Sequence, residues 1–304
     1  MAHNFQASQQ WERIQKYWIT ENAADDLTNF KSDQRNHKIA LWDPRNSGIR
    51  YLKTLVYNLA MGLDKENWAR LKEVKNRNVG NPLTVRCNGE TVCLDYLQAV
   101  LELGFIEQEI DLQGASVMEI GAGYGRTCHT ILSNHDIAGY TIVDLNNTMR
   151  LSRKYLSEVL DDKQFAKIRF VEASNADSAL ESMWFDLCIN IHSMAEMTPE
   201  IVQDYLGLIG RTCASFYVKN PVGKHTDRSM DGHPEGIEAI QMAMETGPLR
   251  QVLDIHDTMA VNAAVTDFIA AYRPGEEWTC AADGRAIPWS YFWQAIYKND
   301  AFYR

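Results

Sequence analysis

The chain has 304 residues, 45% hydrophobic and 23% charged, which excludes collagen, intrinsic disorder and a small disulfide scaffold and suffices to bury a substantial core. Thirty Lys and Arg against forty Asp and Glu leave a net charge of −10, which argues against a general nucleic-acid binder, because duplex affinity comes from phosphate neutralisation by cations. The balance is uneven: from Lys31 to Arg86 twelve Lys and Arg stand against five Asp and Glu, a local +7 that leaves −17 elsewhere.

That basic segment reads either as solvated helix faces or as an electropositive wall for an anionic substrate. The six cysteines form no CxxC pair or metal-finger spacing and read as reduced, buried thiols. Met1 to Gln10 lack the basic start and apolar run of a signal peptide, and no stretch approaches the roughly 18 apolar residues of a membrane span. A cytoplasmic chain without a membrane span is expected.

From Gln9 to about Trp42 the pattern is helical, with Trp11, Ile14, Trp18 and Ile19 at three- and four-residue intervals. The aromatics of this first helix suit a homodimer contact. Asp43-Pro44 and Asn46-Ser47-Gly48 form a turn, and a second helix runs from Ile49 to Met61. Residues 1–80 thus read as a helical extension and 81–304 as a second domain. In the latter, Thr84–Cys87 and Thr91–Cys93 flank Asn88-Gly89, a strong hairpin dipeptide, and Asp95–Leu103 is helical.

From Ala115 short apolar runs alternate with helical stretches. Strands are expected at Val117–Ile120, Tyr140–Val143, Ile168–Val171, Phe185–Asn190 and Ser215–Val218. Helices are expected at Thr127–Ser133 and Met149–Leu160, and after Thr198, with Pro199 at the first helical position. This alternation predicts an α/β fold, a mostly parallel sheet with helices on both faces. In the tail, Leu249–Ile255 reads as a strand, Val261–Tyr272 as a helix and Tyr291–Tyr297 as a last strand.

The most informative run is Glu119-Ile120-Gly121-Ala122-Gly123-Tyr124-Gly125-Arg126. A strand meets a glycine-rich turn that opens a helix at the sheet's carboxyl edge, where doubly wound folds bind ligands. A dinucleotide fingerprint needs Gly or Ala where Arg126 stands, which argues against a nicotinamide cofactor. Glu119 before the glycines suits a ligand carrying an amino group, such as S-adenosylmethionine. Asp144, at the end of the next strand, can accept both hydroxyls of a ribose, or can merely cap the following helix. Asn175 or Asp177 could read an adenine edge.

At the end of the fourth strand, His192 and Glu196 are the groups that titrate usefully, and histidine is the side chain best suited to taking a hydroxyl proton near neutral pH. A long polar loop, Lys219 to Glu235, emerges at the same edge and carries His225 and His233. No H-E-x-x-H or D-x-D spacing marks a metal site, and none is expected.

Taken together, Met118–Arg126, Ile142-Val143-Asp144-Leu145, His192-Ser193-Met194-Ala195-Glu196-Met197 and Tyr217–Pro221, with Gly80-Asn81-Pro82 and Tyr96-Leu97 upstream, resemble bacterial sugar O-methyltransferases. The resemblance covers roughly residues 80–220. It implies a Rossmann-like, doubly wound seven-stranded sheet of a class I methyltransferase, S-adenosylmethionine as cofactor, and methyl transfer to a hydroxyl of a sugar, nucleotide-linked or in a glycan. By position Gly121, Gly123, Gly125 and Asp144 would hold the cofactor, joined by Glu119, Leu145, Asn175 and Asn190. His192, Glu196 and His225 would act at the acceptor, and Tyr124, Arg126, Asn220, His233 and Arg45 would contact it. A phosphate-bearing acceptor would suit the basic segment. The competing readings are a nicotinamide-dependent oxidoreductase and a non-catalytic subunit with the same fold.

Overall fold

The computed structural model describes residues 7–20, 25, 44–227, 229 and 236–302. It divides into two compact units, Met1–Asn58 and Leu59–Arg304. In the first, α1 (Gln9–Tyr17) is capped by Ser8, whose hydroxyl accepts from the Trp11 N–H at 3.4 Å. Ile14 is buried on this helix, whereas Trp11, Tyr17 and Trp18 are exposed. The helical pattern expected as far as Trp42 stops at Tyr17 in α1, and residues 21–24 and 26–43, with Lys31, Arg35 and Lys38 of the basic segment, lie outside the described residues. Helix α2 (Pro44–Met61) runs across the division.

The second unit begins before residue 80, because α3 (Lys65–Glu73) packs against α4 (Leu94–Ile106) and α5 (Arg126–Asn134). Leu71 and Val74 are fully buried there, and Arg70 pairs with Glu107 at 2.5 Å. Strands β1 (Thr84–Cys87) and β2 (Glu90–Cys93) form the expected hairpin. Its two turn residues, Asn88 (φ 51°) and Gly89 (φ 82°), take the left-handed conformation that matches the twist of paired strands.

The main sheet uses β3 (Ser116–Ile120), β4 (Gly139–Asp144), β5 (Ile168–Glu172), β6 (Phe185–Ile191), β7 (Cys213–Pro221), β8 (Trp278–Arg285) and β9 (Phe292–Asn299). Their order is β5-β4-β3-β6-β7-β9-β8, parallel from β5 to β7, with β9 antiparallel to both its neighbours. The seven-stranded, mostly parallel α/β sheet expected from the sequence is present. Ile120 lies in register with Val143 on one side and Asn190 on the other, and Ile191 lies opposite Lys219. These strand ends form one edge.

Alternation along each strand separates two cores. Val117, Ile142, Leu187, Ile189 and Tyr217 face α4, α5 and α6 (Asn146–Val159). Met118, Ile120, Val143, Cys188, Phe216 and Val218 face the side covered by α8 (Ala176–Leu180) and α9 (Pro199–Thr212). A short α7 (Asp162–Phe165) precedes β5. Five of the six cysteines are buried and all six are free thiols. Among the described residues no helix is long and apolar enough to cross a membrane.

The tail differs from expectation in three places. Leu249–Ile255 is not a strand of the sheet; it contributes one bridge, Val252 to Lys224, because β9 already occupies the free edge of β7. The helix expected over Val261–Tyr272 is two, α11 (Thr258–Ala263) and α12 (Val265–Ala271), joined at Ala264. Strand β8 carries no apolar run, being an edge strand buried on alternate residues only, and α10 (Ile237–Glu245) presents no buried side chain, so neither left a clear hydrophobic signal.

Candidate functional site

The glycine turn is dictated by backbone geometry. Gly121, Gly123 and Gly125 have φ of 74°, 59° and 96°, a region that strains any residue with a Cβ. A Cβ on Gly121 would lie 2.2 Å from Ser193 Oγ, and one on Gly125 would lie 2.7 Å from Leu156 Cδ1. Around Gly123, by contrast, no atom of the described residues other than its chain neighbours stands within 4 Å of that position. The turn is tied to the neighbouring strand end by Gly121 N–H donating to Val143 O at 2.8 Å.

Asp144 completes this edge. One carboxylate oxygen accepts from Gly123 N–H at 3.0 Å and the other from Leu145 N–H at 2.7 Å. Burial raises its pKa while the two amides pull it down. Each oxygen keeps a further lone pair, so the fork can still receive two ligand hydroxyls. A cleft of about 1120 Å³ opens here, lined by Gly121, Gly123, Asp144 and Leu145 from the sequence-derived set, and by Glu196 from the fourth strand end. Its far wall is α9, with Tyr205 and Arg211; Ala173, Ala176 and Asp177 line the end beyond β5.

Several sequence candidates are near this cleft but do not line it. Glu119 is 2% exposed and accepts from Tyr140 OH at 2.7 Å, with Thr127 as a second partner; burial pushes its carboxyl up to about 7. It points among strand and helix partners because odd and even residues of β3 face opposite cores. Gly125 serves the close approach to Leu156 instead. Arg126 is partly buried: its guanidinium lies 2.9 Å from Glu102 Oε2 and donates to Asp95 O at 2.9 Å. Glu102 also receives Lys219 Nζ at 2.7 Å, so these three charges form a buried cluster behind the edge.

Tyr124 donates to Asp95 at 3.0 Å and packs edge-to-face on Tyr155, which ties the glycine turn to α4 and α6. Asn175 is exposed on a single turn after β5, and it is Asp177, paired with Arg211 at 2.8 Å, that reaches the cleft. Asn190 is fully buried and fastens strand ends together: its amide donates to Ile120 O at 3.0 Å and Ser193 Oγ at 2.6 Å and accepts from Asn220 Nδ2 at 2.9 Å. Asn220 Oδ1, also buried, has no hydrogen-bond partner among the described residues. His233 and the side chain of Arg45 lie outside the described residues.

The ends of β6 and β7 carry the titratable groups. His192 has φ 70°, a strained value for a residue with a side chain, and is held there by its N–H donating to Lys219 O at 2.8 Å. Its ring stacks on Phe292 at 5.3 Å, and Nδ1 lies 3.3 Å from Glu196 Oε1. Burial holds its pKa below the usual histidine range; Glu196 opposes this, and Lys219, Lys224 and His225 add to it. The His225 ring lies 5.2 Å from that of Tyr291. The sequence therefore named three groups that converge here, and missed Ser193, Lys219, Lys224, Tyr205 and Phe292. Lys219 left a readable signal: a lysine at the end of the apolar run Ser215–Val218 needs a buried carboxylate.

No protein-family model matches this sequence, and the search of curated proteins returned no match. Among solved structures the chain is similar to the methyltransferase domain of bacterial CtHen1 (11% identity, TM-score 0.48, covering 66% of this chain and 97% of that one). It is also similar to the pyocyanin biosynthetic protein PhzM (14%, 0.44, 90% and 74%) and to PigF with SAH (17%, 0.43, 88% and 75%).

Proposed function

We propose that the chain transfers a methyl group from S-adenosylmethionine to a hydroxyl, and that the acceptor is a sugar. The observation that carries this reading is the Asp144 fork, fixed by the Gly123 and Leu145 amides beside two left-handed glycines, Gly121 and Gly123, that line a cleft. The cleft volume lies just above the usual range of small-molecule sites, about 300–1,000 Å³, enough for a nucleoside cofactor and part of an acceptor. When bound, the cofactor would supply an electrophilic methyl on a sulfonium. The residues fit such a group: Asp144 for the ribose hydroxyls, Gly121 and Gly123 for close approach of the backbone, and Ala173, Ala176 and Asp177 around the base.

The protein's own contribution to the chemistry lies at His192. With Glu196 Oε1 drawing the Nδ1 proton, Nε2 is the nitrogen left to accept a hydroxyl proton, and the lowered pKa keeps the ring neutral and receptive near neutral pH. Phe292 fixes the plane of the ring. Supporting the sugar assignment are the similarity of residues 80–220 to sugar O-methyltransferases and the aromatic side chains Trp289, Tyr291 and Phe292 beside the histidines. The same reading places the enzyme in the cytoplasm, in polysaccharide or glycosylated natural-product assembly.

The test has two parts. Calorimetry with S-adenosylhomocysteine and with NADH is expected to give binding by the first and none by the second; the reverse overturns the cofactor. Labelled S-adenosylmethionine with a panel of nucleotide sugars, free sugars and non-sugar phenols is expected to label a sugar. Label on the phenols alone would overturn the acceptor class.

A further inference from the structure

Among the described residues Lys224 has no counterion, and it sits in a tightly built corner. Only 8% of it is exposed. Its ammonium donates to Ala195 O at 3.2 Å and Thr246 Oγ1 at 3.4 Å, both neutral, and among the described residues no carboxylate lies within salt-bridge distance of it. Among the described residues the one carboxylate named as acting on it electrostatically, Glu196, is itself largely exposed to water and lies outside salt-bridge distance of the ammonium. An ammonium has three donors, so one remains unused. A cation desolvated in this way, without a counter-charge, is unfavourable unless an anion joins it or it gives up its proton.

The corner is constructed rather than incidental. Lys224 N–H donates to Gln251 O at 2.8 Å and its carbonyl accepts from Leu253 N–H at 3.0 Å, so its backbone is pinned on both sides. A Cβ on the preceding Gly223 would lie 2.7 Å from Gln251 O, and one on Gly247 would lie 3.0 Å from Ala195 O. The segment from Thr246 to Leu253 is thus clamped between Lys224 and the turn carrying Ala195 and Glu196. Arg250 from that segment adds a second positive charge acting on Lys224, and His225 follows it in the chain. Lys219 shares Glu102 with Arg126, at 2.7 Å and 2.9 Å, so that cluster keeps one unmatched positive charge. What remains is an excess of positive charge beside the His192–Glu196 pair.

We propose that Lys224 binds an anionic group of the acceptor, a carboxylate or a phosphate, and so places the acceptor's hydroxyl against His192. This rests on the methyl-transfer reading for calling the anion part of an acceptor; the anion site itself does not. The acceptor class is then a hydroxyl compound bearing an acid, and a neutral sugar is a poor substrate. A charged donor facing an oxyanion gives the stronger kind of hydrogen bond, which makes Lys224 a determinant of specificity.

The test uses the full chain, with inorganic phosphate and acetate as separate probes titrated at constant ionic strength against chloride, in the presence and absence of S-adenosylhomocysteine. One of the two probes is expected to bind the wild type, with affinity weakened about tenfold in Lys224→Gln and restored in Lys224→Arg. Which probe binds identifies the acid. Lys224→Gln binding the probe as the wild type does, or neither probe exceeding chloride in the wild type, overturns the proposal. Should Lys224→Gln not fold, the wild type alone decides: acylation of Lys224 by an N-hydroxysuccinimide ester, read by peptide mass spectrometry, must slow with the probe and not with chloride. Lys224-dependent anion binding without any binding of S-adenosylhomocysteine would leave the anion site standing and overturn the methyl-transfer reading.

Discussion

The ends of β3 and β4 and the ends of β6 and β7 lie along one sheet edge, yet they are made by different means. At β3 and β4 the working parts are backbone: three glycines in left-handed conformation and two amides that fix one carboxylate. At β6 and β7 they are side chains with charge: a histidine in strained geometry, its glutamate, two buried lysines and an aromatic stack. The first half is suited to a ligand that never varies, since backbone can be neither exchanged nor re-aimed by a single substitution. The second can be re-specified by altering one side chain. On this view the cofactor half and the acceptor half should respond to mutation in separable ways.

The largest effect is expected at His192. His192→Ala should lower kcat by about 10² to 10⁴, the usual contribution of a positioned base, while S-adenosylhomocysteine affinity stays within about twofold. Steady-state kinetics and calorimetry on the same preparation check this, and equal losses in both would dissolve the division between the halves.

Next in size is Gly121→Ala. A left-handed conformation costs an alanine roughly 1–2 kcal/mol, and the contact of its Cβ with Ser193, at 2.2 Å, adds about as much again. Cofactor affinity should fall about 100-fold. Unchanged affinity would mean that the turn is free to re-form around the methyl group. Asp144→Asn comes below it, at about tenfold: the amide keeps one acceptor, but its NH₂ must then face either Gly123 N–H or Leu145 N–H, and the charge-assisted bond is lost. For this variant the KM of the acceptor is the control and should not move.

The two halves also differ in how far the sequence disclosed them. The strands of the parallel sheet, the Asn88-Gly89 hairpin and the strand–glycine–helix junction are local signals, set by period-two burial and by residues that alone tolerate positive φ, and each appears where expected. Site residues fixed by long-range pairing were not legible. Glu119 and Arg126 sit in the most telling motif of the chain, but Glu119 bonds Tyr140 across the sheet and Arg126 pairs with Glu102 on α4, partners that no spacing announces. Lys224 lies in a loop that reads as long, polar and rich in cationic side chains, a candidate as a whole that singles out no lysine. Its meaning comes from the carbonyl of Ala195, 29 residues away in the chain. Strand β8 was silent for another reason: an edge strand half exposed to water needs no apolar run.

The smallest effect is a cancellation. His129, buried against Tyr96 OH at 2.7 Å, is held down to about 4, so between pH 6.5 and about 4 the unfolded chain binds a proton that the folded chain refuses, and stability falls as pH falls. Glu119 is pushed up to about 7, so between its ordinary 4.5 and 7 the folded chain keeps a proton that the unfolded chain has released, and stability falls as pH rises. Each amounts to about 3 kcal/mol over its window, with opposite sign. His192 follows the direction of His129 and Asp144 that of Glu119, both with smaller weight because both sit nearer to water. Denaturant midpoints of the wild type should therefore be nearly level from pH 4.5 to 6.5. In Glu119→Gln, which keeps an acceptor for Tyr140, the opposing slope is gone. The histidine then acts alone, and about 2 kcal/mol should be lost over the same interval on going to acid. A variant whose profile superimposes on that of the wild type would show that Glu119 is ionised in the folded chain, with its charge answered inside the core beneath the cofactor edge.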